Sequence, residues 1–418
     1  MDAFGVDTRN AAVIIRREGK PAMSSLDDCY NIFDMREVAE KRLPKGVFEF
    51  IDRGTEDEVA LANNRAAFER LKLKHRALVD MTNRTMATTL FGKPVCIPMA
   101  IAPTGVAGLC WYHGELELAK AAAAAKIPFT LATGAMTPME EIAEKASGRL
   151  WMQLYVWHER KLSYELIDRA KNAGFEALII TVDTAASPNR EYNARNGFNL
   201  PFRMSARAAI DMMSKPRWLA RVMWRYLVNG GMPRYENYPA HLQRSIRTDP
   251  SVNAVMRRDS LSWEDIKIFR KMWPGILMVK GINRPDDALR AIEHGCDGII
   301  VSNHGGRNMD SAVASIDALP EIAEAVGAKA TVLLDSGVRR GSDIAKAIAL
   351  GAKAVLTGRA TLYGTSVGGE AGAAKAISML RKELDNTMVY CGCNTVDEIT
   401  PDILFGPSAV NSAARFVG

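Results

Sequence analysis

Eight short apolar runs divide the chain, and an amphipathic helical pattern follows most of them. Each run is the first part of one of eight segments, which also include the residues directly after the run: 97–102, 128–133, 150–157, 177–183, 276–281, 298–310, 331–337 and 354–359. Apolar runs of this length predict buried strands, and their alternation with helices predicts that the strands are parallel. Continuous apolar character indicates a sheet that is covered on both faces. Eight such units predict an α/β fold, a closed (β/α)8 TIM barrel. The alternative is an open doubly wound sheet, but no GxGxxG turn follows the first run.

These units occupy most of the chain, so we expect one large domain over residues 31–400. An N-terminal extension (1–30) would precede this domain and a C-terminal tail (401–418) would follow it. A helical pattern from Asp34 to Ala66, with Pro44 at an internal helix start, leads into the barrel. The strand–helix pattern breaks down after the fourth run, which predicts a long insertion at about 198–260.

Composition narrows the class of protein. The chain has 48% hydrophobic and 24% charged residues, as an ordinary soluble protein does. Its net charge of +6 is too small to indicate a nucleic-acid partner. The six cysteines show neither metal-ligand spacing nor the density of a secreted scaffold, so we expect reduced thiols and no metal site. Because no signal peptide or membrane-spanning run is evident, we predict a cytoplasmic protein.

Polar side chains and two glycines lie where the predicted strands end, which is where a barrel of this kind carries its functional groups. They are Gln153, Tyr155, Thr181, Asp183, Arg190, Lys280, Ser302, His304, Arg307, Asp335, Gly337, Arg339, Gly358 and Arg359. Any one of them could form a salt bridge at the barrel rim, and His304 could be a core histidine. Glycine with arginine after the last two strands is typical of a phosphate site. Lys280 follows four apolar residues, where a merely structural lysine would be costly to bury. Together the set favours a phosphate-bearing cofactor with an acid substrate beside it.

Several segments carry a family resemblance. They read IAPTG, QLYVW, TVDT, LMVKG, SNHGGRNMD, LLDSGVRRGSDIAKAIALGA and LTGRATLYG. They resemble the FMN-dependent L-2-hydroxy acid oxidase and dehydrogenase family, and the resemblance covers roughly residues 30–400. The DSG within LLDSGVRRGSDIAKAIALGA, Gly105, the KPRW stretch and GRATLYG are most similar to the mandelate dehydrogenase branch. The resemblance implies oxidation of an (S)-2-hydroxy acid to a 2-oxo acid with FMN as the hydride acceptor.

The resemblance also implies a role for each strand-end residue. His304 would be the general base, because the pKa of a histidine lies near working pH. Asp183 would orient its imidazole, Arg307 and Arg190 would hold the substrate carboxylate, and Tyr155 would hydrogen-bond the substrate. The backbone of Pro103, Thr104 and Gly105 would contact the flavin, and Lys280 would lie near its N1 and O2 atoms. Along the ring the flavin would be bound by Gln153, Thr181 and Ser302. The ribityl phosphate would be bound by Asp335, Gly337, Arg339, Gly358 and Arg359.

Two positions depart from the family pattern. Phe50 stands where the family has a tyrosine that contacts the substrate carboxylate, and Ala132 replaces a flavin-contacting serine. Each lost hydroxyl removes on the order of 1 kcal/mol. Gly105 and Gly134 should enlarge the pocket, because glycolate oxidase-like members carry a bulky aromatic residue at the second position. We therefore expect a large or aromatic, mandelate-like acid, with L-lactate dehydrogenase or oxidase activity as the alternative.

The insertion mixes basic and apolar residues on a helical period. The basic ones are Arg203, Arg207, Lys215, Arg217, Arg221, Arg225 and Arg234, and the apolar ones include Trp218, Met223 and Trp224. This mixture suits the surface of an anionic membrane, while the alternative is a mobile lid that packs on the barrel. The resemblance favours peripheral attachment at the inner face of the cell membrane, to reach a quinone, and it implies a homotetramer. Oxygen or a cytochrome as acceptor, a flavin-binding barrel with another substrate class, and a binding module without activity remain open.

Overall fold

The structure is a computed structural model that describes residues 24–198, 205–239, 243 and 259–405. Its centre is a closed barrel of eight parallel strands, which confirms the predicted TIM barrel. Three short strands precede the barrel: β1 (Lys72–Leu73), β2 (Thr88–Leu90) and β3 (Lys93–Val95). The barrel strands are β4 (Met99–Ile101), β5 (Phe129–Ala132), β6 (Leu150–Leu154), β7 (Ala177–Thr181), β8 (Ile276–Ile282), β9 (Gly298–Val301), β10 (Thr331–Leu334) and β11 (Ala354–Thr357). Neighbouring strands follow chain order, and β11 closes the barrel on β4.

Helices surround the barrel. The bounds are α1 (Ile32–Arg42), α2 (Lys45–Asp52), α3 (Val59–Arg70), α4 (Ala107–Cys110), α5 (Gly114–Ala124), α6 (Met139–Lys145), α7 (Arg160–Asn172), α8 (Glu191–Arg195), α9 (Ala206–Met213), α10 (Pro216–Trp218), α11 (Trp224–Asn229), α12 (Trp263–Met272), α13 (Pro285–Glu293), α14 (Ser315–Val326), α15 (Gly341–Ala349) and α16 (Arg359–Cys391). A π-helical turn (Leu219–Met223) joins α10 to α11. Helix α16 is interrupted by non-helical backbone at Gly368 and Gly369.

Local sequence explains where several helices begin and end. Asn31 caps α1 by accepting a hydrogen bond from the backbone N–H of Asp34. Leu43 is extended because a residue before proline avoids helical backbone, so α2 starts afresh after Pro44. The predicted helical pattern from Asp34 to Ala66 is thus divided into three helices, α1 to α3.

The barrel interior is closed at the end opposite the site. Its core includes Trp151, Met278 and Leu333, and the β2–β3 hairpin adds Leu90 to the same cluster. Phe91 at the tip of this hairpin packs edge-on against Trp151, with ring centroids 6.1 Å apart. Because the amino-terminal mouth is filled in this way, the carboxyl-terminal mouth is the end at which a cavity can open.

Within the described part of the predicted insertion, residues 206–229 are largely helical and residues 230–239 are not. Trp218 is buried and donates from its indole N–H to the carbonyl of Leu109, 2.7 Å away, which fixes α10 to the barrel. Residues 199–204, 240–242 and 244–258 of the insertion lie outside the described residues, as do 1–23 of the predicted extension and 406–418 of the predicted tail. At the end of the described chain, β12 (Leu404–Phe405) pairs antiparallel with β1. None of the described helices is long and apolar enough to span a bilayer.

Candidate active site

A cavity of about 440 Å³ opens at the carboxyl ends of the barrel strands. All but two of the predicted site residues line it: Phe50, Pro103, Thr104, Gly105, Gln153, Tyr155, Thr181, Arg190, Lys280, His304, Arg307, Asp335, Gly337, Arg339, Gly358 and Arg359. The other two, Asp183 and Ser302, each hold a lining residue by a hydrogen bond. The fold therefore brings the predicted groups, which are spread over more than 300 positions, around one space.

His304 lies between a carboxylate and a phenol. Its Nδ1 is 3.0 Å from Oδ1 of Asp183, and its Nε2 is 3.2 Å from the hydroxyl of Tyr155. Because an ionised carboxylate can only accept, Nδ1 carries the proton and Nε2 keeps its lone pair. The basic nitrogen is thus on the side of the ring that faces Tyr155 and the cavity.

The backbone of His304 is left-handed, with φ of 58°, and Gly305 and Gly306 continue it at 69° and 70°. This conformation costs a non-glycine residue roughly 1–2 kcal/mol. Two hydroxyls hold the turn in place: Ser302 accepts from the N–H of His304 at 3.1 Å, and Ser336 accepts from the N–H of Gly305 at 2.9 Å. The turn directs the imidazole into the barrel mouth.

Helix α3 and the segment after α2 support this turn from the other side. The side-chain amides of Asn64 and Asn303 exchange two hydrogen bonds, of 2.9 and 2.8 Å, and both residues are buried. Arg359 donates to the carbonyls of Gly305 and Arg53, at 2.9 and 3.0 Å. The N-terminal helices and the histidine turn therefore form one packed unit.

The electrostatic environment of His304 suits a general base. Burial lowers the pKa of His304; Asp183 opposes this shift, whereas the charge of Lys280 adds to it. Burial alone would raise the pKa of Asp183, but the charges of His304 and Lys280 outweigh it and hold that pKa below its usual value. Asp183 is therefore ionised and His304 neutral at physiological pH, as proton abstraction requires.

Arg307 and Arg190 place positive charge beside His304. Burial lowers the pKa of Arg307 to about 10, and the neighbouring charge of Arg190 contributes. Arg307 donates to the carbonyl of Arg53 at 2.8 Å and lies over the ring of Phe50, 5.2 Å from its centroid. Within the described residues, no carboxylate forms an ion pair with Arg307, so a bound carboxylate would relieve the repulsion.

Lys280 is a buried cation. Its Nζ lies 2.8 Å from Oγ of Ser302 and 3.2 Å from Oδ2 of Asp335. Burial would lower the pKa of Lys280, but the charges of Asp335 and Asp183 outweigh this and raise it. Lys280 therefore keeps a permanent positive charge in the wall of the cavity.

Hydrogen-bonding groups in the barrel mouth are oriented in advance. The amide of Gln153 donates to Oγ1 of Thr181 at 2.8 Å and accepts from the N–H of Thr133 at 3.2 Å. The hydroxyls of Thr184 and Thr357 are buried in the lining of the cavity without a hydrogen-bond partner among the described residues. Buried polar groups are rarely left unpaired, so these two hydroxyls are available to a bound molecule.

The far end of the cavity is shaped for an anion. Burial lowers the pKa of Arg339 to about 10, and burial followed by the charge of Arg307 lowers the pKa of Arg359. Neither the guanidinium of Arg339 nor that of Arg359 forms an ion pair with a carboxylate in the described chain. Gly358, the N-cap residue of helix α16, lies beside them. Helix N-termini and arginines bind phosphate. With Lys280 and the unpaired hydroxyls, these residues fit the phosphorylated flavin that the sequence resemblance implies.

The two departures from the family pattern, Phe50 and Ala132, both line the cavity. A Cβ atom added to Gly105 would meet only the carbonyl of Gly134, at 3.8 Å, so space is open there. A Cβ atom added to Gly134 would lie 3.7 Å from Cε1 of Tyr235, so this tyrosine occupies part of the space beyond that glycine. The space that Gly134 was predicted to open is therefore bounded on one side by the ring of Tyr235, which belongs to the insertion.

The lining residues that sequence reasoning missed include Tyr235, Tyr238, Asn308, Ser336, Thr184 and Thr357. Asn308 donates to the carbonyl of Asp183 at 2.7 Å, which steadies the partner of His304. The tyrosines belong to the insertion, whose last described stretch returns to the barrel mouth. No sequence signal singles them out, because the insertion also carries Trp218, Trp224 and Tyr226.

Comparison with known proteins gives consistent results. A family model described as FMN-dependent dehydrogenase matches residues 39–405. The (S)-mandelate dehydrogenase of Pseudomonas putida is 38% identical over 384 residues, covering 92% of this chain and 96% of that protein. An L-lactate oxidase of Nostoc sp. is 38% identical over 388 residues, covering 91% of this chain and 100% of that protein. Because the chain is equally identical to these two relatives, overall similarity does not decide which side chain the substrate acid carries.

A solved structure supports the same relationship. The crystal structure of the monotopic membrane protein (S)-mandelate dehydrogenase superimposes with a TM-score of 0.85 at 38% identity, and covers 90% of this chain and 99% of that chain.

Proposed function

The chain belongs to the FMN-dependent dehydrogenase family, and from this premise we propose that it oxidises a large aromatic (S)-2-hydroxy acid, such as (S)-mandelate, to the 2-oxo acid. It is an FMN-dependent oxidoreductase that acts on 2-hydroxy acids. The proposal concerns the side chain of the acid. It rests on one observation above all: Phe50, Tyr155 and Tyr235 give the cavity aromatic walls, while Gly105 leaves space open beside Gly134.

Arg307 and Arg190 would bind the substrate carboxylate. Both carry their charge into the cavity beside His304, and a guanidinium pairs with a carboxylate through two parallel hydrogen bonds. The Tyr155 hydroxyl, which lies 3.2 Å from Nε2 of His304, would hydrogen-bond the substrate next to the base. The aromatic group of the acid would then lie towards the aromatic walls, where Phe50 offers an apolar ring instead of a hydroxyl.

Nε2 of His304 would take the proton that the substrate releases on oxidation. The imidazolium that forms would be stabilised by Asp183, whose carboxylate is 3.0 Å from Nδ1. FMN, when bound, accepts the two electrons that the substrate loses. Lys280 would supply fixed positive charge for that site, and Arg339 and Arg359 would hold the phosphate.

The first test uses flavin absorbance. Under anaerobic conditions (S)-mandelate should bleach the flavin of the purified protein faster than (S)-lactate does. His304→Gln should retain FMN but slow bleaching by roughly 10²–10⁴-fold, because the base is lost. His75→Gln, at an exposed histidine away from the cavity, is the matched control. Faster bleaching by (S)-lactate would favour the lactate alternative, and absence of bleaching by either acid would contradict the proposed reaction.

We also propose that the insertion attaches the protein to a membrane surface and that a quinone is the electron acceptor. The apolar side chains Ile210, Met213, Trp224, Leu227 and Val228 are exposed on α9 and α11. Basic residues such as Arg217 and Arg221 lie among them, and apolar helices with basic neighbours bind anionic lipid surfaces. The similar (S)-mandelate dehydrogenase is described as a monotopic membrane protein. Beneath these helices lies an apolar cavity of about 620 Å³ that could admit a lipophilic acceptor.

Replacing these five apolar residues with serine should abolish cosedimentation with anionic phospholipid vesicles. Flavin reduction by the hydroxy acid should change by less than about threefold, because none of the five lines the active-site cavity. The matched control replaces Tyr30 and Tyr390, which are exposed outside the insertion. Undiminished cosedimentation of the fivefold variant would exclude the insertion as the attachment surface. Reoxidation by a soluble quinone should also outpace reoxidation by oxygen.

A further inference from the structure

We infer that Tyr235, which the insertion carries to the active-site cavity, is a specificity-determining residue whose ring receives the aromatic group of the substrate. The inference deepens the proposed function and rests on it, since it assumes an aromatic 2-hydroxy acid. It assigns to the insertion a second role, in substrate selection, that is independent of membrane attachment.

Tyr235 lines the same cavity as His304 and Arg307. Its Cε1 and Cδ1 atoms lie 3.7 and 3.9 Å from where a Cβ atom of residue 134 would stand. A Cβ atom at position 134 would therefore be in van der Waals contact with the tyrosine ring, so the ring bounds the space beside Gly134. Gly134, which follows β5, has no side chain to bound the cavity, and the ring of Tyr235 from the insertion bounds it there instead.

The backbone beside Tyr235 is fixed to the barrel. Asn237 is fully buried; its amide oxygen accepts from the N–H of Met139 at 2.9 Å and its amide nitrogen donates to the carbonyl of Thr137 at 3.0 Å. The N–H of Glu236 adds a hydrogen bond to the carbonyl of Ala135 at 3.2 Å. Met139 is the first residue of α6, so Asn237 satisfies a donor that no helical carbonyl can reach. These three bonds hold Tyr235 against the loop that follows β5.

Neighbouring rings fix the orientation of the side chain. Tyr235 stacks on Tyr238 with centroids 4.8 Å apart and an interplanar angle of 20°, and Tyr238 meets the ring of Trp157 edge-on at 5.7 Å. Burial raises the pKa of Tyr235 to about 12, so its hydroxyl stays neutral and adds no charge to the wall. A rigid, neutral aromatic face favours an aromatic partner by offset or edge-to-face packing.

A purely structural role for Tyr235 predicts a different outcome. If the ring only packed the insertion against the barrel, its loss would affect every substrate alike. If it contacts the substrate, its loss should affect (S)-mandelate and spare (S)-lactate, whose methyl group cannot extend as far. The ratio of kcat/KM for the two acids separates these roles, because a general loss of active protein cancels in it.

The experiment compares Tyr235→Phe, Tyr235→Leu and Tyr235→Ala in the full-length protein with bound FMN. Tyr235→Phe keeps the ring and should leave the mandelate-to-lactate ratio within threefold of the wild-type value. The leucine and alanine variants should lower the ratio by roughly tenfold, as expected for a lost aromatic contact and lost apolar burial. Tyr390→Ala, at an exposed tyrosine, is the control.

A second readout avoids turnover. Phenylacetate and propionate, which lack the reacting hydroxyl, can be titrated against the flavin spectrum. Tyr235→Leu should weaken the binding of phenylacetate by roughly tenfold and leave the binding of propionate within threefold. If the alanine variant does not retain FMN, the leucine variant, which preserves apolar volume, decides by the same ratio.

A ratio that changes by less than threefold in the leucine variant overturns the inference, as does equal weakening of phenylacetate and propionate. Failure of the proposed function looks different. In that case wild-type protein itself would prefer (S)-lactate, whatever the variants do.

Discussion

Buried charge is common to the individual residues that build the site. Lys280 is a buried cation and Arg307 and Arg339 are half-buried ones, and of the three only Lys280 forms an ion pair with a carboxylate in the described structure. Such charges are unfavourable unless an anion joins them. A bound phosphate and a bound substrate carboxylate would supply those anions, so filling the site would stabilise these residues. His304 differs, because its function requires that burial keep it neutral.

The pH dependence of kcat/KM should reflect this environment. The base must be neutral, and burial lowers the pKa of His304 below the ordinary value of 6.5. A lowered pKa keeps the base neutral to more acidic pH, so the acid limb of the profile should lie below pH 6.5. Asp183→Asn should move that limb further to the acid side, since Asp183 raises this pKa.

The same variant should lower kcat by about 10²–10⁴-fold, because the imidazolium loses its partner. The measurement is a pH profile of kcat/KM for both proteins. An acid limb above pH 6.5 in the wild type, or a limb that moves to higher pH in Asp183→Asn, would contradict the assignment of His304.

Among the secondary-structure elements, α2 links the N-terminal helices to the barrel. Asp52 at the end of α2 accepts two hydrogen bonds from Arg36 of α1, at 2.7 and 2.6 Å, and one from the hydroxyl of Tyr363 of α16 at 2.6 Å. The same helix supplies Phe50 to the cavity. One buried carboxylate therefore holds together three helices that position the substrate end of the site.

Asp52→Asn should lower the free energy of unfolding by on the order of 1–3 kcal/mol. This is less than the full loss of a buried pair, because the side chain of Arg36 is 40% exposed. Burial would raise the pKa of Asp52, but Arg36 and Tyr363 outweigh it and keep the pKa low. The stabilisation is therefore present above the ordinary carboxylate pKa of 3.8 and is lost as pH falls through the lower folded value.

Urea unfolding of the wild type and the variant near neutral pH and below pH 4 measures both effects. Glu40→Gln, at an exposed position on α1, provides the control. The difference between Asp52→Asn and the wild type should shrink at the acidic pH. A difference that stays constant would show that the carboxylate charge is not what joins the helices.

For the molecule as a whole, cofactor binding and stability should be coupled. The barrel is filled at its amino-terminal mouth and open at the other, where the unpaired cations lie. A ligand that binds only the folded state stabilises it by about 2.7 kcal/mol at a concentration 100-fold above Kd. The homotetramer that the family resemblance implies remains a prediction, which light scattering can check.

Added FMN should raise the Tm of the flavin-depleted protein in a concentration-dependent way, and Arg339→Met should reduce that rise. The FMN-free Arg339→Met protein should be at least as stable as the FMN-free wild type, because a buried unpaired charge is removed. Arg84→Met, at a surface salt bridge to Asp385 away from the site, is the control. Equal FMN-dependent shifts in the wild type and Arg339→Met would exclude Arg339 from the phosphate site.

Much of this organisation was already determined by the sequence. Apolar runs and helical periods are local signals, and eight of them in succession allow few arrangements other than a closed barrel. Once the barrel is given, residues that follow the runs must meet at one mouth, so His304, Lys280 and Arg339 could be placed together without coordinates. That placement depends only on chain order and strand direction.

Only the tertiary structure decided which other segments reach that mouth. The buried amides of Asn64 and Asn303 pair across 239 positions, and Tyr235 arrives from an insertion that follows no strand–helix pattern. The role of Gly134 likewise depends on the ring that fills the space beside it. No local period encodes such contacts, because they depend on how separate elements pack. The catalytic centre is thus predictable from the strand ends, whereas the walls that select the substrate depend on packing between elements distant in sequence.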